Sequence, residues 1–142
     1  SPFELGLGWA VKMNKNHFIG KNALKKELDR GPEWKFVGIE IEWSDLEKHY
    51  RRVGLAPGLP STAWRTSTPL YYNSEQIGYA TSGTWSPILK RYIALAHVKN
   101  EYSKKGTMLD FEIKIEHFKK TTMARVVNTP FFNPERKRSC PT

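Results

Sequence analysis

The run Met108-Leu109-Asp110-Phe111-Glu112-Ile113-Lys114-Ile115 changes polarity at every step. Leu109, Phe111, Ile113 and Ile115 fall on one face and Asp110, Glu112 and Lys114 on the other. That period of two predicts a strand with one face in a core and one in water. Such a strand needs neighbours, and the flanking sequence supplies them. Thr121 to Val127 reads as the next strand, with Phe118-Lys119-Lys120 as the turn between. Upstream, Lys104-Lys105-Gly106 marks a turn after a strand over Tyr92 to Val98. Before it, Leu70 to Tyr72 and Gln76 to Thr81 flank a turn at Asn73-Ser74. Further back, Phe36, Gly38, Glu40 and Glu42 alternate with Val37, Ile39, Ile41 and Trp43. The fold expected is mainly β: a small antiparallel, Greek-key-like β-barrel of about six strands, closed or nearly so.

Outside the barrel lie other textures. The expected divisions are 1–33, a short strand and helix segment that docks either on the rest of this chain or on a missing N-terminal domain; 34–133, the barrel; and 134–142, a basic tail. Within the first, Gly6 and Gly8 break up any long element, Trp9 to Met13 alternates like a short strand, and His17 to Leu28 reads as a helix. Its apolar stripe pairs Ile19 with Ala23 and Leu24 with Leu28, and Gly31-Pro32 stops it. One short helix cannot make a core, so this segment must dock on something else. A second helix is expected over Asp45 to Val53, with Ser44 and Glu47 as a capping box. Leu55 to Ser61, with Pro57, Gly58 and Pro60, is a loop long enough for an insertion or a lid.

The chain has 142 residues, 39% of them hydrophobic, which suits a globular domain with an appendage. A formal charge of +9, from 23 basic and 14 acidic side chains, points to an anionic partner without choosing among nucleic acid, lipid, phosphate and polycarboxylate. Cys140 is the only cysteine, so it reads as an exposed thiol in a reducing, cytoplasmic setting. No apolar run approaches the roughly 20 residues that span a bilayer, and no signal peptide is evident. His17, His49, His97 and His117 lack metal-ligand spacing, so no metal site is expected. Gly6-x-Gly8 lacks the strand and third glycine of a dinucleotide loop.

Several segments taken in order carry a resemblance. Ser1-Pro2-Phe3-Glu4-Leu5-Gly6-Leu7-Gly8-Trp9, followed by Phe18 to Leu24, resembles the end of the α+β folate-binding domain in the glycine-cleavage T-protein (aminomethyltransferase) family. Ile77-Gly78-Tyr79-Ala80-Thr81-Ser82-Gly83-Thr84-Trp85-Ser86-Pro87, continuing into Ile93 to Val98, is similar to that family's barrel signature. Gly106-Thr107 and Thr129-Pro130-Phe131-Phe132 also fit. The resemblance implies a tetrahydrofolate-dependent transfer of an aminomethyl or methyl group. It implies that the family's catalytic acid lies in an N-terminal part preceding Ser1, so no catalytic residue is assigned here and this piece alone is expected to be inactive. It places Glu4 on the pterin ring, where a carboxylate can accept from the ring amino group and adjacent N–H together. Arg65 resembles an arginine near the outer portion of the folate, where a guanidinium suits a carboxylate or the benzoyl ring.

Trp85 and Trp9 join them as candidate folate contacts because they offer flat surfaces, with Trp64, Tyr71 and Tyr79 behind. Trp85 stands first, since its loop is broken by Gly83. The partners implied are an N-terminal domain of the same chain and either a lipoyl-type carrier protein or a small methyl donor. The stretch from Trp43 to Ser61 is longer than the family's usual connection, which leaves the donor open, including those of sarcosine and dimethylglycine dehydrogenases and of methyl-ether and sulfonium demethylases. Read without the resemblance, Glu4 is an ordinary capping or exposed glutamate and Arg65 a loop arginine. The alternative function is a non-catalytic basic barrel that binds nucleic acid or an acidic carrier protein. Lys104-Lys105, Lys119-Lys120 and Arg136-Lys137-Arg138 would then form one basic rim, or else a scattered solvated surface.

Overall fold

The computed structural model describes residues 1–137. Six strands form a closed antiparallel barrel: β1 Trp34–Ile41, β2 Thr68–Tyr72, β3 Glu75–Ser86, β4 Arg91–Lys99, β5 Met108–Ile115 and β6 Phe118–Val127. Their order around the barrel is β1-β4-β3-β2-β5-β6. β2, β3 and β4 follow one another through hairpins, and β1 lies beside β4. That is a Greek key, and the β5–β6 hairpin closes it back onto β1.

The alternation in the sequence explains the core. Ile39 and Ile41, Leu70, Ile77, Ala94, Ala96 and Val98, Leu109, Phe111 and Ile113, and Ala124 and Val126 all point inward and are buried. Small residues sit where strands crowd, as Ala96 and Ala80 do at the β3–β4 pairing. Asn73 and Ser74 both have positive φ, 48° and 68°, which gives the two-residue turn its match to strand twist. The β5–β6 turn uses the same geometry at Glu116 and His117, φ 48° and 69°. Phe118-Lys119-Lys120 is therefore the start of β6 rather than the turn. Positive φ at two ordinary residues carries no glycine signal in the sequence, so the turn is hidden there.

Two helices lie outside the barrel. α1 spans Lys21–Arg30, starting four residues later than the apolar pattern because Gly20 adopts a left-handed conformation at the N-cap. Trp9 to Met13 forms no strand: Gly8–Ala10 is a 3₁₀ turn. α2 spans Trp43–Arg51 with Glu42 at the N-cap and no side-chain cap bond. The Ser44–Glu47 capping box is absent because the helix begins two residues too early for it. Among the described residues no helix is long and apolar enough to cross a membrane.

α2 covers a gap in the wall. β1 pairs with β6 only from Gly38 to Ile41, so the outer edge of β6 is bare beyond Ala124. Glu42 N–H donates to Met123 O at 2.8 Å. Asp45 Oδ2 accepts from Met123 N–H at 2.9 Å and from the Thr122 hydroxyl at 3.1 Å. Thr122 is 1% exposed, so its hydroxyl depends on that carboxylate. Burial pushes the Asp45 carboxyl upward, but the bonds from Met123 and Thr122, with His49 and Lys48 nearby, outweigh it and hold the pKa below the usual value. A depressed folded-state pKa stabilises the fold above the unfolded carboxyl pKa of about 3.9, and that contribution is lost as pH falls through the folded value. Asp45→Ala is expected to cost about 2 kcal/mol in urea unfolding at pH 7, with the gap to wild type narrowing below about pH 4.

Candidate functional site

The end of the barrel under α2 holds a cavity of about 330 Å³. Leu46 and Tyr50 of α2, Trp64, Thr68 at the start of β2, Tyr92 of β4 and Phe111 of β5 line it. Trp64 is its floor. The residue pairs with Gly83 through two backbone bonds, Trp64 N–H to Gly83 O at 3.0 Å and Gly83 N–H to Trp64 O at 3.2 Å. Its indole N–H donates to the Tyr92 hydroxyl at 2.7 Å. The ring centroid stands 6.1 Å from that of Phe111, and Tyr92 meets Phe111 edge-on at 6.4 Å. Burial raises the Tyr92 pKa against the opposing pull of the indole N–H, so this hydroxyl stays protonated at neutral pH. The site is aromatic with a polar rim of Thr66, Ser67, Glu112 and Lys114.

The four candidate folate contacts are dispersed. Glu4 is half-buried beside β1, its carbonyl accepting from Phe36 N–H at 2.7 Å and its carboxylate 2.5 Å from the Ser1 amino group. Arg65 is exposed, one residue past the locked Trp64. Trp9 is 83% exposed. Trp85 lies in β3, not in an exposed loop, and its ring packs on Trp43 at 5.4 Å. The expected loop fails because Gly83 is a strand residue whose missing Cβ makes room for Trp64. None of the four lines one of the principal cavities. Of the other aromatics, Trp64 lines the cavity under α2 and Tyr71 a second one of about 380 Å³, while Tyr79 stacks on His97 at 5.7 Å on the barrel's outer face. Tyr71 donates to Glu112 at 3.3 Å.

Tyr92 was not singled out by sequence reasoning, although the signal was present. It shares parity with Ala94, Ala96 and Val98, so the alternation of β4 already aims it toward the barrel axis.

Lys104-Lys105 and Lys119-Lys120 do not share one rim. Lys104 and Lys105 join Lys35 around a groove of about 720 Å³ at the end of the barrel where β1 begins. Lys119 and Lys120 start β6 at the opposite end of the β5–β6 ladder, with Lys119 3.3 Å from Glu112. Arg138 and Cys140 lie outside the described residues. Among the described residues no cluster of three His, Cys, Asp or Glu side chains could hold a metal.

The segment before β1 carries an unusual surface. Ile19 is 98% exposed and Leu28 54%, and Leu5, Leu7 and Trp9 are also in solvent. α1 buries no residue at all. Of its apolar stripe only Leu24 is half-covered among the described residues, and Ile19, Ala23 and Leu28 are exposed.

Comparison with known proteins gives a consistent picture. The model of the glycine cleavage T-protein C-terminal barrel domain matches residues 51–133. An aminomethyltransferase of Prochlorococcus marinus (strain NATL2A) is 40% identical over 133 residues, covering 93% of this chain and 30% of the relative. One of Bacillus pumilus is 38% identical over 133 residues, covering 93% and 31%. The crystal structure of glycine cleavage system aminomethyltransferase T from Bartonella henselae superposes with a TM-score of 0.70 at 24% identity, covering 93% of this chain and 32% of that one, a likeness of fold. The chain spans about 30% of the length of the curated relatives it matches.

Proposed function

The chain belongs to the glycine cleavage T-protein family, and from that premise we propose that it is the C-terminal third of a tetrahydrofolate-dependent aminomethyl or methyl transferase. In this reading residues 1–33 are the last part of the folate-binding domain, residues 34–133 the barrel, and residues 134–142 a basic tail. The observation that carries the proposal is the bare apolar surface of the first segment, with Ile19 and Trp9 in water. Apolar side chains at that density in one short segment are ordinarily covered. The relatives extend well beyond the matched region, which gives a ready cover in the preceding part of the same chain.

The residues fit a pterin in kind. Glu4 keeps an acceptor-only carboxylate at the surface, and its carbonyl is fixed to β1 by the bond from Phe36. Trp9, largely exposed, would stack on a flat ring once the adjoining domain is in place. Arg65 would meet the outer portion of the ligand. Trp85, packed on Trp43, is the weakest of the four and is best read as a wall residue. Bound tetrahydrofolate would supply the nitrogen that accepts the one-carbon group. This chain's residues would orient it and keep water from it. The donor would be a lipoyl-type carrier or a small methyl compound, in a cytoplasmic setting.

The direct test uses a protein joining this chain to the family's N-terminal part. Glu4→Gln is expected to weaken tetrahydrofolate binding by about 10- to 100-fold in calorimetry, the worth of a charge-assisted pair. Unchanged affinity in Glu4→Gln would remove Glu4 from the ligand.

A second reading, a nucleic-acid-binding barrel, finds little to support it. The groove at Lys35, Lys104 and Lys105 offers Phe36 as its aromatic ring, and that ring is engaged with His97 at 5.0 Å. A stacking platform for bases needs a free face.

A further inference from the structure

We propose that Tyr92 and Gly83 are positioning residues for Arg65, acting through the indole of Trp64. The inference rests on the reading of Arg65 as a ligand contact given above.

Between the end of α2 at Arg51 and the start of β2 at Thr68 the chain forms no helix or strand. Its neighbours on either side of Trp64, residues 61–63 and 65–67, are exposed. A segment of that length and exposure should sample many conformations. Trp64 is the exception, and four separate restraints meet on it. Two are the backbone bonds to Gly83. The third is the 2.7 Å bond from the indole N–H to Tyr92. The fourth is steric: the ring lies against Gly83, where a Cβ would come within 2.8 Å of Cε2 and 2.9 Å of the Ala94 Cβ. Only glycine leaves room for the indole at this place.

The consequence falls on the next residue. With Trp64 held in backbone and side chain, the Cα of Arg65 is fixed against the barrel, and the guanidinium is left only its own side-chain torsions to search. Fewer torsions to freeze mean less entropy lost when the guanidinium meets a carboxylate. Tyr92 suits the task because its ring is itself wedged against Phe111, so its hydroxyl does not move away from the indole. Pro60 adds a lesser tie, its carbonyl accepting from the Thr84 hydroxyl at 3.4 Å. Neither Tyr92 nor Gly83 needs to touch the ligand.

The test has two arms. In the first, trypsin cleavage after Arg65 is timed in the 142-residue chain. Tyr92→Phe removes the hydroxyl and keeps the ring, and is expected to speed cleavage at Arg65 by about fivefold, the worth of one hydrogen bond, while cleavage after Lys12 and Lys15 keeps its rate. Thr122→Val, which removes the hydrogen bond between β6 and Asp45 of α2 and none to Trp64 or Tyr92, controls for general destabilisation and is expected to leave the Arg65 rate unchanged. In the second arm, a protein joining this chain to the family's N-terminal part is titrated with tetrahydrofolate. Arg65→Ala is expected to weaken binding about tenfold and Tyr92→Phe about fivefold, and the double variant should be no weaker than Arg65→Ala alone. Unchanged cleavage in Tyr92→Phe overturns the lock. Faster cleavage with unchanged folate affinity in Arg65→Ala overturns the ligand reading of Arg65 and leaves the lock standing. Independent, multiplying effects in the double variant overturn the claim that Tyr92 acts through Arg65.

Discussion

Gly78→Val is expected to leave the chain without a cooperative unfolding transition. Gly78 pairs with Val98 at one end of the β3–β4 ladder and also faces β2 at Leu70, so it is held between two strands. A Cβ built there falls on the carbonyl oxygen of His97, 2.9 Å from the Val98 Cα and 3.0 Å from its Cγ1. The obstruction is backbone, which cannot rotate aside as a side chain would. Relief requires β3 and β4 to part, yet their pairing is continuous with that of β1 and closes the barrel. Overpacking of this kind costs about 3 kcal/mol or more even for the single methyl of Gly78→Ala. Valine adds two further carbons, and domains of this size have only about 5–15 kcal/mol in total. Gly58→Ala is the matched control: its added methyl meets nothing within 4 Å, so its urea midpoint should stay near wild type. Far-UV circular dichroism against urea reads both.

Trp64→Ala is expected to destabilise the barrel by about 3 kcal/mol, measured by the same unfolding experiment. The indole fills the space between Gly83, Ala94, Phe111 and Tyr92, and its removal joins that volume to the existing cavity above it. The cost has a second source. The Tyr92 hydroxyl, half-buried, loses its only protein partner among the described residues. Trp64→Phe should recover part of the packing but not the hydrogen bond. A change below about 0.5 kcal/mol in Trp64→Ala, the range of ordinary surface substitutions, would mean that the ring lies in solvent.

The barrel was legible because its strands obey one rule. Leu109, Phe111, Ile113 and Ile115 declare their face by period alone, and β5 begins and ends where the alternation does. β1 was equally plain from Val37, Ile39 and Ile41, and it belongs to the same closed sheet although the family match begins only at residue 51. Where the reading departed from the fold, a local cue was outweighed by a distant contact. Gly83 looked like a break and is instead a landing place for Trp64, nineteen positions earlier in the chain. Ser44 and Glu47 had the spacing of a capping box, but the bond from Glu42 N–H to Met123 starts the helix earlier. No local pattern could have announced either.

The candidate site was less legible than the fold. Glu4, Trp9, Arg65 and Trp85 were named from a resemblance, and this chain alone does not gather them. Trp9 and Ile19 show why: in the proposed reading the surface that covers them belongs to the preceding part of the protein. Tyr92 and Gly83, in contrast, are fixed entirely by the barrel, and geometry rather than motif brings them forward.

The most direct test of the account is one-carbon transfer to tetrahydrofolate from an aminomethyl-loaded lipoyl carrier. It is measured on the purified 142-residue chain and on a protein joining the chain to the family's N-terminal part. The account predicts turnover by the joined protein and none by the chain alone. Turnover by the chain alone would contradict it.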